Sequence, residues 1–160
     1  MLFLKQKGNM ERTYSDSLYY HLRLTARYMK TFGKQLFNSL NIDIDFDELI
    51  ILDLLFHREG LIQRDLAKLL LTDRANAGRL ASSLEKKDLV EIKIQKKANR
   101  LVKMILLTEF GKKTFEECVK KIAPKIEEIS KMFNGDEEAT LNRLLIDFRN
   151  KLSSAMEIHI

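Results

Sequence analysis

Leu61-Ile-Gln-Arg-Asp-Leu-Ala-Lys-Leu-Leu-Leu-Thr-Asp-Arg-Ala-Asn-Ala-Gly-Arg-Leu-Ala-Ser-Ser-Leu-Glu-Lys-Lys-Asp-Leu-Val90 runs directly into Glu91-Ile-Lys-Ile-Gln-Lys-Lys-Ala-Asn-Arg-Leu-Val-Lys-Met-Ile-Leu-Leu-Thr108. In the first half Ile62, Leu66, Leu69 and Leu70 recur at helical spacing and predict one short helix. Thr72 or Asp73 can cap a second helix. There Ala77, Leu80, Ala81 and Leu84 form one stripe that can pack inward. In the second half Glu91–Gln95 alternates with period two, a strand pattern. Arg100–Leu107 is a more apolar return strand, and Lys96-Lys-Ala-Asn99 is the hairpin tip.

Helix, turn, helix and basic hairpin is the layout of a winged helix-turn-helix, which reads duplex DNA. Charge points the same way. Residues 61–108 hold eleven Lys and Arg against five Asp and Glu, a net of +6, while the whole chain is +5. The excess is local, and a polyanionic partner accounts for a local excess better than a basic composition does. The bland alternative is a solvated face of a lysine-rich protein.

The flanks are helical. Leu18, Leu22, Met29, Phe32, Leu36 and Leu40 predict one amphipathic helix over roughly 13–40. Asp45 or Asp47 can cap a largely apolar helix carrying Leu49, Ile50, Leu52, Leu55 and Phe56, and Gly60 suits its C-terminal end. After the hairpin, Thr108 begins a helix whose stripe runs Phe115, Cys118/Val119, Ile122, Ile126, Ile129, Phe133. Pro124 predicts a kink or break in it. Asn134-Gly-Asp136 is a turn, and Leu141, Leu144, Leu145, Phe148 and Leu152 form a last helix to about 156. The expected fold is mainly α with a small β-hairpin wing and long terminal helices. Its expected parts are a flexible N-terminal extension (1–12), an N-terminal dimerisation helix (13–44), a DNA-binding lobe (45–108) and C-terminal dimerisation helices (109–160). Long terminal helices cannot bury their stripes on a small centre alone, and pairing with a second copy would cover them.

The chain resembles the MarR family of transcriptional regulators over about residues 13–156. The resemblance rests on Gln63-Arg-Asp-Leu-Ala-Lys-Leu-Leu70, Asp73-Arg-Ala-Asn-Ala-Gly-Arg-Leu80, Leu84-Glu-Lys-Lys-Asp-Leu-Val90 and Leu107-Thr-Glu-Phe-Gly111. It implies an obligate homodimer that represses genes from a pseudo-palindromic double-stranded operator and is released by a small aromatic ligand or an oxidant. Two departures stand out. Ala98-Asn99-Arg100 replaces the usual Asp-x-Arg of the wing, and Asp88 replaces a common Gly. Asp tolerates left-handed geometry better than most residues.

Site residues follow from placement. Arg74, Ala75, Gly78, Arg79, Ser82 and Ser83 fall mainly outside the inward stripe of the second helix. Arg79 matches the family's recognition-helix arginine and would reach a base edge or a phosphate; it could instead pair with Glu85 or Asp73. Asn76 could read adenine or be a plain surface residue. Gly78 serves close approach to the duplex or tight packing. Lys96, Lys97, Arg100 and Lys103 would touch a neighbouring minor groove or its phosphates, or simply guard an exposed edge strand. Cys118 is expected to be a structural residue and not an oxidant sensor. His21, with Tyr20 or Tyr28, is expected at a surface or interface, and a ligand pocket is the other reading.

No apolar run approaches the roughly 18 residues of a membrane span. Met1-Leu-Phe-Leu-Lys5 is too short an apolar stretch for a secretory signal. The expected location is the cytoplasm. No triad, paired-carboxylate constellation, phosphate loop or metal spacing is recognisable, so no enzyme, metal or cofactor is expected. Two other readings stay open: a winged-helix protein-interaction module without DNA-binding function, and a weakly specific nucleoid-type DNA binder.

Overall fold

A computed structural model describes residues 13–97 and 100–155, without the side chains of Lys97 and Arg100. The expected extension at 1–12 and the hairpin tip at Ala98-Asn99 lie outside the described residues. Contacts divide the chain into two units, the boundary falling between Asp43 and Ile44.

In the first unit helix α1 spans Leu18–Ser39. It begins later than the apolar spacing suggests. Tyr14–Asp16 form a single 3-10 turn instead, and Ser17 Oγ accepts from the Tyr20 N–H at 3.1 Å to open the helix. A side-chain cap satisfies an otherwise unpaired donor of the first turn and so fixes the start.

The second unit holds helix α2 (Phe46–Phe56), strand β1 (Leu61–Ile62), helices α3 (Gln63–Leu69) and α4 (Arg74–Lys86), strands β2 (Val90–Lys97) and β3 (Arg100–Leu107), and helices α5 (Glu109–Ser130) and α6 (Gly135–Ala155). The antiparallel sheet has the order β1-β3-β2. The core forms where α2, α3, α4 and the strands meet, with Ile51, Leu52, Leu66, Leu80, Leu84 and Ile105 fully buried. All four stripe residues of α4 are buried.

Strand β1 was not expected. Ile62 reads as helical by spacing, but it pairs with Met104, and Leu61 pairs with Ile105. A two-residue strand is too short to show a period. Gly60 does not close α2, which ends at Phe56. It stands just before β1 at φ +131°, where a Cβ would meet Leu106 Cδ2 at 2.7 Å. Both the left-handed backbone and the close side chain require glycine there.

Pro124 does not break α5, which runs on to Ser130. Proline removes the donor that would reach the Lys120 carbonyl. Both residues are exposed, so water can take that acceptor, while Phe115, Cys118 and Ile122 hold the preceding turns in the core. Beyond Ile122 the expected stripe leaves the core, with Ile126 and Phe133 exposed. The Glu137 N–H donates to Asn134 Oδ1 at 2.9 Å and the Asn134 N–H to Glu137 Oε2 at 3.0 Å, so the turn there is also the cap of α6.

The junction after the wing depends on Thr108 and Gly111. Thr108 Oγ1 donates toward the carbonyls of Asp88 (2.7 Å) and Leu89 (3.1 Å) and accepts from the Gly111 N–H (2.8 Å). Asp88 has φ +58°, as its place in the turn anticipates. A Cβ on Gly111 would collide with the Leu89 carbonyl, which is backbone and cannot rotate away. Gly111→Ala is therefore expected to destabilise the fold by about 1–3 kcal/mol or more, as overpacking does. Urea unfolding monitored by circular dichroism checks this; an unchanged midpoint would mean that α5 can move off Leu89 freely.

Candidate nucleic-acid interface

Helix α4 presents one face to the core and one to solvent. Asp73 caps it, its Oδ1 accepting from the Asn76 N–H at 2.7 Å. On the outer face Arg74, Ala75, Arg79 and Ser82 are exposed, while Asn76, Gly78 and Ser83 are half-buried.

The three half-buried residues have partners within the protein. Asn76 Nδ2 donates to Thr72 Oγ1 at 2.9 Å, and Asn76 Oδ1 accepts from Arg79 Nη2 at 2.9 Å. Neither Glu85 nor Asp73 holds Arg79. Among the described residues no carboxylate lies within ion-pair reach of its guanidinium. The Asn76 amide thus orients the arginine one turn further along the same face. At Gly78 a Cβ would come within 2.5 Å of Gln63 Nε2, and that amide donates to the Arg74 carbonyl at 2.9 Å. Gly78 therefore provides tight packing of α4 on Gln63, which stands at the start of α3.

Ser83 turns away from the outer face. Its Oγ donates to Glu48 Oε1 at 2.6 Å. Glu48 is only 3% exposed, and its Oε2 accepts from Lys87 Nζ and from the Asp45 N–H, each at 2.9 Å. One buried carboxylate on α2 thus holds Ser83 of α4 and, one turn on, Lys87 at the C-terminal cap of that helix. Burial alone would raise the Glu48 pKa. The bonds from Ser83, Lys87 and the Asp45 N–H, with the Lys87 charge, outweigh it and hold the group below its ordinary value of 4.5. Sequence reasoning gave Glu48 no role, named Gln63 only within a motif, and took Thr72 only as a possible cap. The available signal for Glu48 was its place three residues after Asp45, the spacing of a reciprocal cap.

On the wing, Lys96 and Lys103 are exposed, and Lys93 pairs with Glu91 at 2.6 Å. The side chains of Lys97 and Arg100, expected in the same site, lie outside the described residues. Cys118 is buried. Desolvation pushes its thiol up from 9.0, with Lys121 opposing and Glu117 adding to the shift. Such a thiol is held protonated at neutral pH, the opposite of what an oxidant sensor needs. His21 is exposed and meets the Tyr20 ring edge-on at 5.6 Å.

A helix-turn-helix backed by a three-stranded antiparallel wing defines a winged-helix protein. No family model matches the chain. The uncharacterized HTH-type transcriptional regulator YybA of Bacillus subtilis (strain 168) is 25% identical over 117 residues, covering 73% of this chain and 77% of YybA. The S. aureus MepR–DNA complex superposes with a TM-score of 0.72 at 25% identity, over 89% of this chain and 99% of that one. Apo MarR from E. coli gives 0.68 at 22% identity, over 82% and 96%. The chain has the winged-helix fold seen in MarR and MepR.

Glu48→Gln is expected to lower stability at neutral pH by about 1–3 kcal/mol, the range for a lost charged hydrogen bond. Because the folded pKa of Glu48 is depressed, its contribution is present above about pH 4.5 and is lost as pH falls through the lower folded value. The gap between wild type and variant in denaturant unfolding should therefore close on the acid side. A gap that stays constant with pH would show that the charge on Glu48 is not what ties the helices.

Proposed function

We propose that this protein is a DNA-binding transcriptional regulator: a homodimer that recognises a pseudo-palindromic duplex and represses by occluding the promoter. The observation that carries the reading is Arg79, exposed on the outer face of α4, paired with no carboxylate among the described residues and braced by Asn76. Exposed Ala75 and Ser82 share that face and leave room for a groove wall. A guanidinium so presented can bond a guanine edge bidentately. The likeness to MepR, solved on DNA, and to the regulator YybA supports the same reading.

Two further observations support a dimer. No described residue of α6 is buried, although the helix carries Leu141, Leu144, Ile146 and Leu152. Within the other unit α1 exposes Leu18, Tyr28, Met29 and Phe32. Apolar stripes of this length call for a partner surface, and a second copy provides one. Two α4 helices in successive major grooves would require half-sites one turn, about 10 bp, apart. A small aromatic ligand would release the operator to the extent that it binds the non-operator lobe spacing more tightly. A bacterial-type regulator of this design acts in the cytoplasm.

Sedimentation should give a species of about twice the 18.7 kDa chain mass. A monomer that still binds operator would overturn the dimer.

Arg79→Ala should lose tens-fold affinity for a duplex selected by the wild-type protein from a random pool, with a much smaller loss on scrambled duplex, since a base contact is worth about 1–3 kcal/mol. Asn76→Ala should lose several-fold on the selected duplex and almost nothing further in the Arg79→Ala background, because its part is to orient the arginine. Equal losses of Arg79→Ala on both duplexes would make Arg79 a phosphate contact. Additive losses would give Asn76 a base contact of its own.

A further inference from the structure

Ile94 and Leu101 are among the most exposed large apolar side chains of the described residues, at 69% and 78%. Both belong to the wing. In its register Ile92 faces Ile105, Ile94 faces Lys103 and Lys96 faces Leu101. Cross-strand partners share a face of the sheet. These six residues therefore make one face, apolar toward its base, where Ile105 is buried and Ile92 half-buried, then alternating apolar and cationic toward the tip. Its direction is fixed by a pocket that Ile92, Ile105 and Lys103 line together with Gly78 and Ser82 of α4. The wing face that carries Ile94 and Leu101 is the one turned toward the recognition helix.

Exposed lysines on an edge strand guard it against pairing with another sheet. That accounts for Lys96 on β2, which is an edge of the sheet, but not for the two apolar residues beside it. A bare apolar pair at a hairpin end is a liability unless something covers it. The cover must suit apolar and cationic groups alternating over a few ångströms. A minor groove does so, with sugar walls and base edges between two rows of phosphate, and isoleucine and leucine are among the residues that wedge between base steps there.

Resting on the DNA-binding reading, we propose that Ile94 and Leu101 form an apolar wedge that enters the minor groove beside the half-site read by α4, with Lys96 and Lys103 on the bordering phosphates. The wing then does more than attract the backbone: it selects sequences whose steps open or deform readily.

The test uses the full chain and the duplex selected by the wild-type protein, with anisotropy titrations over a series of salt concentrations. The variants are Ile94→Thr/Leu101→Thr, which keeps strand-forming residues at exposed positions, and Lys96→Ala/Lys103→Ala. Burial of two apolar side chains releases no counterions. The threonine pair should therefore lose about tenfold in affinity with its salt slope unchanged. The alanine pair should flatten the slope by about one for each lost phosphate contact. With 2-aminopurine at the step beside the half-site, wild type should raise the fluorescence and the threonine pair should not. Wild-type affinity in the threonine pair, or a loss accompanied by a flatter slope, overturns the wedge. So does a threonine pair that binds DNA normally but no longer self-associates, which would make a second copy the occupant. A wild-type protein that selects no duplex overturns the DNA reading itself.

Discussion

The Glu48 carboxylate is buried between α2 and α4 and accepts from Ser83, Lys87 and the Asp45 N–H at once. An unpaired carboxylate in that position would cost several kcal/mol, so the charge is stable there only while all its donors are in place. This makes the geometry close to all-or-none. If α4 slides by one residue, Ser83 and Lys87 leave the carboxylate together. Apolar stripes tolerate small slips, because hydrophobic contact has no direction. The carboxylate supplies direction, and so it sets the height and rotation of the helix that carries Arg79.

That constraint decides which residues of α4 are left to face a partner. Ser83 is turned toward α2, Gly78 lies against Gln63, and Asn76 is held between Thr72 and Arg79. What remains on the outer face is one small residue beside each long cation: Ala75 beside Arg74 and Ser82 beside Arg79. A face of this kind has little shape of its own. If it reads DNA as proposed, discrimination rests on where the guanidinium groups are held, and the interior bonds of Asn76 and Glu48 then bear on recognition without touching a partner.

Much of this was legible in the sequence, for a physical reason. The stripe Ala77, Leu80, Ala81, Leu84 repeats over several turns, and Glu91–Gln95 is long enough to show the alternation of a strand; both agree with the structure. Features without a period were not legible. Strand β1 is two residues long and exists because Met104 and Ile105 lie opposite it. Gly60 answers to the Leu106 side chain, far away in sequence. Ser83 and Glu48 meet 35 positions apart, and nothing local marks a serine that points inward. The break allowed for at Pro124 does not occur, because a local rule about proline ignores how firmly the preceding turns are anchored by Phe115, Cys118 and Ile122.

The cap of α4 adds a last constraint on how such a surface can hold an anion. Helix N-termini bind phosphate through free N–H groups and the positive end of the helix dipole. Here Asp73 occupies that end and accepts from the Asn76 N–H, placing a negative charge where a phosphate would sit. The helix end is therefore a poor anchor for a polyanion. Attraction has to come from side chains instead: Arg74 and Arg79 on the helix, Lys96 and Lys103 on the wing. This accounts for the local surplus of basic residues between 61 and 108 in a chain that is otherwise near neutral. It also separates two properties that a capped-by-phosphate helix would merge. The position of α4 is set by neutral packing and one buried carboxylate, whereas the long-range pull lies in exposed cations that salt can screen. On the proposed DNA-binding reading, ionic strength would then tune how strongly the surface binds without altering what it recognises.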